Sequence, residues 1–278
     1  MKERFDQLSA ECSKITTRRY STSFSLGISF LDKELHHPIY AIYGFVRFAD
    51  EIVDSFHDYD KPYLLEKFQN DCFEAIDKEI SLNPILNSFQ HVVRKYRIDH
   101  QLIHLFLKSM KMDLERKKYT LETYEEYVLG SAQVVGLMCL KVFTHNDDEL
   151  YKKLELPAMK LGSAFQRINF LRDINADYCI LNRTYFPEIN LEAFSNIEKK
   201  AIENDVEKEL REALQGIILL PASARKGVYL AYVYYKKLFE KIKKSSAGSV
   251  MSKRFRVSNG HKFAIMVSSL LRHRMNAL

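Results

Sequence analysis

Asp50 and Asp54 stand four residues apart, and so do Asp173 and Asp177. Two carboxylates at that spacing project from one side of a helix and can share a hard cation. The first pair extends backwards through Arg47 and Tyr43, and all four residues fall within an arc of about 60° on an ideal helix. Ile42, Phe45, Val46, Phe48, Ala49, Ile52 and Val53 fill the rest of the circumference, so this helix is expected to be buried on most sides. Carboxylates on the one polar strip of a buried helix are costly unless compensated, and Arg47 compensates one at most. The second pair is preceded by Gln166 and Asn169 within an arc of about 80°, among Phe165, Ile168, Phe170, Leu171 and Ile174. If the two strips face each other they form an oxygen-lined cage suited to Mg²⁺ or Mn²⁺. Mg²⁺ commonly bridges a few carboxylates to phosphate oxygens, which points to a phosphate or diphosphate ligand. One Asp-x-x-x-Asp on a helix is usually only a solvated face; two matched pairs on apolar helices favour the shared cation.

Other chemistries lack their residues. No glycine-rich phosphate loop of either common type is present, nor G-x-S-x-G, nor H-E-x-x-H. His100 and His104 have no acid or cysteine at ligand spacing and read as packing or surface residues. Cysteines 12, 72, 139 and 179 form no C-x-x-C pair, which argues for reduced thiols in an intracellular, cytoplasmic protein rather than a disulfide framework or a zinc site. The opening MKERFDQLSAECSK has no apolar signal core, and the longest apolar run, Val134 to Leu140, is too short to cross a bilayer.

The strips need rigid elements to carry them, and the composition supplies helices. Only 9 of 278 residues are Gly and 6 are Pro, against 18 Phe and 16 Tyr. That excludes a turn-rich β architecture and wholesale disorder, and predicts a single all-α domain over residues 1–278. Pro38 is expected to open one helix and Pro84, capped by Asn83, another. Further helices are expected over 99–116, 121–143, 147–179, 196–215, 217–244 and 258–275, with a distinctive loop from Tyr178 to Asn190. Charge is divided: residues 225–278 hold thirteen Lys or Arg and one acid, within a chain of net charge +6, so the preceding part is net acidic. Such a division suits an anionic partner, an internal pairing of the two parts, or a solvated basic face. A non-enzymatic helical adaptor working through the basic tail is the alternative from another class, and it leaves both acidic strips unexplained.

Beyond the strips the chain carries RRYSTSFSL around Tyr20 to Phe24, YAIYGFVRFADEIVD over Tyr40 to Asp54, MDL at Met112 to Leu114, and YVLGSAQVVGLM from Tyr127 to Met138. FQRINFLRDINAD from Phe165 to Asp177, NRTYFP from Asn182 to Pro187 and KRFRVSNGHKF from Lys253 to Phe263 follow. In this order, over nearly the whole chain, the motifs resemble the squalene and phytoene synthase family of head-to-head prenyl transferases. The resemblance implies the isoprenoid synthase fold, a helical bundle around a central cavity with the two acidic motifs at its mouth. It implies Asp50, Asp54, Asp173 and Asp177 as metal ligands. Ser21, Tyr43, Arg47, Gln166, Asn169, Tyr185 and Arg254 match positions that contact diphosphate or its metals. Phe24, Val134 and Gly136 match positions lining the prenyl channel, with Tyr235 and Lys262 assisting. Two positions depart from the pattern: Ala176 stands where an acidic residue is usual, and Gln133 follows Ala132 where glycine is usual.

The resemblance further implies Mg²⁺-dependent condensation of two allylic diphosphates. Phytoene synthase acting on geranylgeranyl diphosphate, in carotenoid synthesis and without NADPH, is the expectation. Dehydrosqualene or squalene synthase using farnesyl diphosphate is the alternative. The partners expected are prenyl diphosphates and, through the basic C-terminal part, peripheral contact with an anionic membrane surface, with no nucleic acid.

Overall fold

The structure is a computed structural model that describes residues 2–115, 119–179, 185–187, 189 and 193–256, without the side chains at 176, 177 and 179. Asp177, Ala176, Lys262, Asn182, Arg183 and Thr184 of NRTYFP, and the helix expected over 258–275 lie outside the described residues or side chains. All regular structure among the described residues is helical, as the shortage of Gly and Pro requires. In chain order the elements are α1 Lys2–Tyr20, α2 Thr22–Ser29, α3 Lys33–Ser55, α4 Lys61–Lys78, α5 Pro84–Lys95 and α6 His100–Glu115. There follow α7 Leu121–Val128, a π-helical turn Leu129–Gln133, α8 Val134–Phe143, α9 Asp148–Cys179, α10 Asn196–Leu219, α11 Ala222–Lys243 and α12 Ala247–Ser252.

Local chemistry explains the boundaries. Asn83 Oδ1 accepts from Ile85 N at 3.0 Å and Leu86 N at 3.4 Å, with Pro84 in the first turn, as expected of that pair. Ser195 and Glu198 close a reciprocal capping box on α10. Pro38 does not open α3, which starts at Lys33 behind Asp32. Asp32 N donates to Ser223 O at 2.9 Å, so the start of α3 is docked onto the start of α11 and the fully buried Leu35 is held in the core. Leu220 and Pro221 split the expected 217–244 stretch, so that α10 runs on to Leu219 and α11 begins at Ala222. The run 121–143 is interrupted by the π-helical turn, whose one extra residue per turn rotates everything downstream by about 100°. That run is apolar and long enough to cross a membrane by length and composition, with half of its most apolar stretch buried inside the bundle.

Two hydrophobic clusters flank the centre. In one, Phe45 of α3 stacks on Phe89 of α5 with ring centres 4.0 Å apart and also meets Phe68 and Phe106. Phe48, expected in the buried face, is instead 36% exposed. His104 stacks on Phe73 at 4.2 Å, a packing role. In the other cluster Phe170 of α9 stacks on Tyr185 at 4.2 Å, beside Tyr127 and Phe186. Helices close tightly where glycine allows it: a Cβ on Gly162 of α9 would stand 2.6 Å from Ala132 O in the π-helical turn. Between the clusters lies a cavity of about 580 Å³ walled by α2, α3, α8, α9, α10 and α11.

Candidate active site

Tyr43, Arg47 and Asp50 reach the cavity from α3, spaced as a polar strip on a buried helix should be. The Arg47 guanidinium pairs with Glu51, lies 3.9 Å from Asp50 and sits 4.3 Å above the Tyr20 ring. Its buried Nε has no partner. Burial, then the charge of Asp54, pushes the Asp50 carboxyl up to about 7, against a smaller opposing pull from Arg47. A third of the Asp50 side-chain surface remains open. Asp54 does not line the cavity, but its charge is felt there. Burial lifts the Tyr43 hydroxyl to about 12, opposed by Arg47 and by a hydrogen bond with Ser21. Ser21 also caps α2, its Oγ accepting from Phe24 N at 3.2 Å.

From α9, Gln166, Asn169 and Arg172 line the opposite wall. Asn169 Oδ1 is buried without a partner, an oxygen donor awaiting one. Asp173 is held by two guanidiniums. Arg172 Nε stands 3.1 Å from each carboxylate oxygen, and Arg254 Nε is 2.7 Å from Oδ1. The side chain of Asp177, one turn on, is not described. Arg254, from the basic C-terminal part, thus reaches the second acidic strip, and Lys243 pairs with Glu207. The charge division is in part an internal pairing.

A chain of rings joins the two walls. Tyr43 meets Phe24 at 5.7 Å, Phe24 meets Tyr235 at 6.2 Å, and Tyr235 stacks on Phe165 at 3.8 Å. Away from this polar end the lining becomes apolar. Phe24 and Gly136 line the cavity as expected, but Val134 does not: it is fully buried in the neighbouring core, and Val135 takes its place. The π-helical turn is the cause, because its extra residue shifts the inward face from Val134 to Val135, Cys139 and Phe143. Tyr185 is also displaced from the expected site. It is buried off the cavity and donates to Asp113 Oδ1 at 3.2 Å.

Three tyrosines converge on that buried carboxylate: Tyr127 donates at 2.8 Å, Tyr119 at 3.3 Å, and Tyr185 as above. Of these only Tyr127 lines the cavity. Asp113 belongs to the MDL segment, which carried no assigned role, and its partners lie 6, 14 and 72 residues further on, at no helical spacing that signalled them. Arg172 was missed too; its signal was its place immediately before Asp173, where a guanidinium can grip the next carboxylate. Ser131 Oγ is a further buried, unpartnered polar atom in the cavity wall.

Among the described residues no three His, Cys, Asp or Glu side chains converge as a ready-made metal cluster. Oxygen donors are nevertheless present on both helices, Asp50 with Asp54 beside it on α3 and Asp173 with the unpartnered Asn169 Oδ1 on α9, and of these Asp50 and Asn169 line the cavity. This donor set fits a hard divalent cation brought in with a diphosphate.

A profile of the squalene/phytoene synthase family matches residues 17–261. The chain belongs to that family. It is a prenyltransferase of the head-to-head type. Phytoene synthase from Arthrospira platensis is 25% identical over 95% of this chain and 93% of its own length. Phytoene synthase 1 of Solanum lycopersicum, a chloroplast protein, is 25% identical over 94% of this chain, which spans 66% of that relative. The crystal structure of a dehydrosqualene synthase superimposes with a TM-score of 0.83 at 20% identity, covering 97% of this chain and 98% of its own. The fold is therefore the isoprenoid synthase fold.

Proposed function

We propose that the protein is a phytoene synthase, condensing two geranylgeranyl diphosphates head to head in carotenoid synthesis. The observation that carries this reading is one cavity with the Asp50 carboxylate, two amides and three arginines at one end and hydrocarbon along the rest, suited to a molecule with a diphosphate head and a prenyl tail. The two phytoene synthase relatives, each aligned over most of this chain, support the choice of product.

Asp50, Asp54, Asp173, Asp177 and Asn169 would hold Mg²⁺, which supplies charge neutralisation for the departing diphosphate. Arg47 and Arg254 bind the same oxygens. The first substrate loses diphosphate with the bonding electron pair, leaving an allylic cation. The double bond of the second substrate attacks it, a proton is lost, and a cyclopropyl diphosphate forms. Loss of the second diphosphate, rearrangement and a second proton loss give the polyene, for a total of two diphosphates and two protons released. No hydride enters, so no NADPH is needed. The apolar wall excludes water that would quench the cations, and the faces of Phe24, Phe165 and Tyr235 present π-electrons to them. Because substrate and product are lipids, the reading extends to peripheral contact with a membrane surface.

The alternative within the family is dehydrosqualene formation from farnesyl diphosphate, in keeping with the fold likeness to a dehydrosqualene synthase. Product analysis from each diphosphate, with Mg²⁺ and with EDTA, tests both. Phytoene from geranylgeranyl diphosphate, abolished by EDTA, is the expected result. A thirty-carbon product from farnesyl diphosphate alone supports the alternative.

A further inference from the structure

Helix contacts provide a ruler for the cavity. A Cβ on Gly162 would meet Ala132 O, and a Cβ on Gly136 would stand 3.0 Å from Ala158 O. The two contacts are four residues apart in opposite directions, so α8 and α9 run antiparallel in register and Leu140 falls level with Leu154. On the other side, a Cβ on Gly216 would stand 2.2 Å from Pro157 Cβ, and Ser163 Oγ donates to Glu209 at 2.8 Å. These contacts set α10 antiparallel to α9 and bring Leu220 to the level of Leu154. Leu140, Leu154 and Leu220 all line the cavity and are 1–6% exposed, and with Phe143, nearly a turn further along α8, they form its floor.

Depth follows from helical rise. Asn169, at the polar end, is about 22 Å along α9 from Leu154 and about 16 Å from Ala158. An extended chain advances about 1.1–1.2 Å per backbone bond, as a polypeptide does at 3.3–3.6 Å per three bonds. On that scale a farnesyl chain spans about 14 Å and a geranylgeranyl chain about 19 Å. The shorter chain ends just above the level of Ala158. The longer one passes it and ends about a residue's width short of the leucine floor. A farnesyl chain leaves the lower tunnel unfilled, and its lining loses contacts.

We propose that Gly136, Ala158 and Gly216 form a chain-length gate, small enough to pass the fourth isoprene unit, with Leu140, Leu154 and Leu220 as the stop beneath it. The gate selects geranylgeranyl over farnesyl diphosphate, and it rests on the synthase reading above. Ala158→Leu fills the gate level. The test compares kcat/KM for both diphosphates, with Mg²⁺, in the wild-type protein and this variant, with circular dichroism as the fold control. The geranylgeranyl-to-farnesyl ratio should fall by about tenfold or more, the scale of one or two methylenes in an apolar pocket. Should Ala158→Leu not fold, Leu220→Ala deepens the stop instead and should raise kcat/KM for geranylfarnesyl diphosphate severalfold. An unchanged ratio in a folded Ala158→Leu, or no gain in Leu220→Ala, overturns the gate alone. A wild-type protein that condenses neither diphosphate overturns the synthase reading and the gate with it.

Discussion

Asp50 couples the site to pH. Its ordinary carboxyl value is 3.8, and burial with Asp54 nearby holds it at about 7. The folded chain therefore binds this proton more tightly than the unfolded chain does. The resulting contribution to the metal-free fold is complete below about pH 4 and is lost as pH rises through about 7. Thermal melts in EDTA should show that loss, and Asp50→Asn should flatten it. Magnesium requires the ionised carboxylate, so its affinity, read by calorimetry, should change in the opposite sense and tighten through the same window. Asp173→Asn is expected to lower kcat/KM by about a thousandfold with helical content unchanged. Loss of helicity would instead make that aspartate structural.

At the scale of elements, Tyr43, Arg47 and Asp50 were legible because a 3.6-residue period places them on one face of α3 whatever the rest of the chain does. Asn83–Pro84 was legible for the same reason: cap and first turn are local. Pro38 misled because the docking of Asp32 onto Ser223, 191 residues away in sequence, sets where α3 begins. Val134 was misplaced because nothing local in LGSAQ announces a π-helical turn. The aromatic stack in the first cluster gives this scale its own test. Phe45→Ala should lower unfolding free energy by about 3–5 kcal/mol in a denaturant titration, and Asn83→Ala by about 1 kcal/mol. A small loss at Phe45 would mean that Phe68, Phe89 and Phe106 close over the void.

For the whole molecule, the division of charge is partly spent within the fold. Arg254 clasps Asp173 and Lys243 pairs with Glu207, so removing either partner exposes its mate. The Asp113 tyrosines could not be read from the chain, since Tyr119, Tyr127 and Tyr185 meet on one carboxylate only once α6, α7 and Tyr185 are packed together. The leucine floor likewise becomes apparent only once three helices are in register.

That floor has a kinetic consequence. A tunnel shut at its foot has one doorway, so the newly joined hydrocarbon must back out past the same charged rim through which both diphosphates entered. Escape into water is slow for such a molecule, whereas escape into a bilayer is not. Rapid-mixing experiments should therefore show a burst of about one product per protein followed by slow turnover, with lipid vesicles accelerating the slow phase and leaving the burst unchanged.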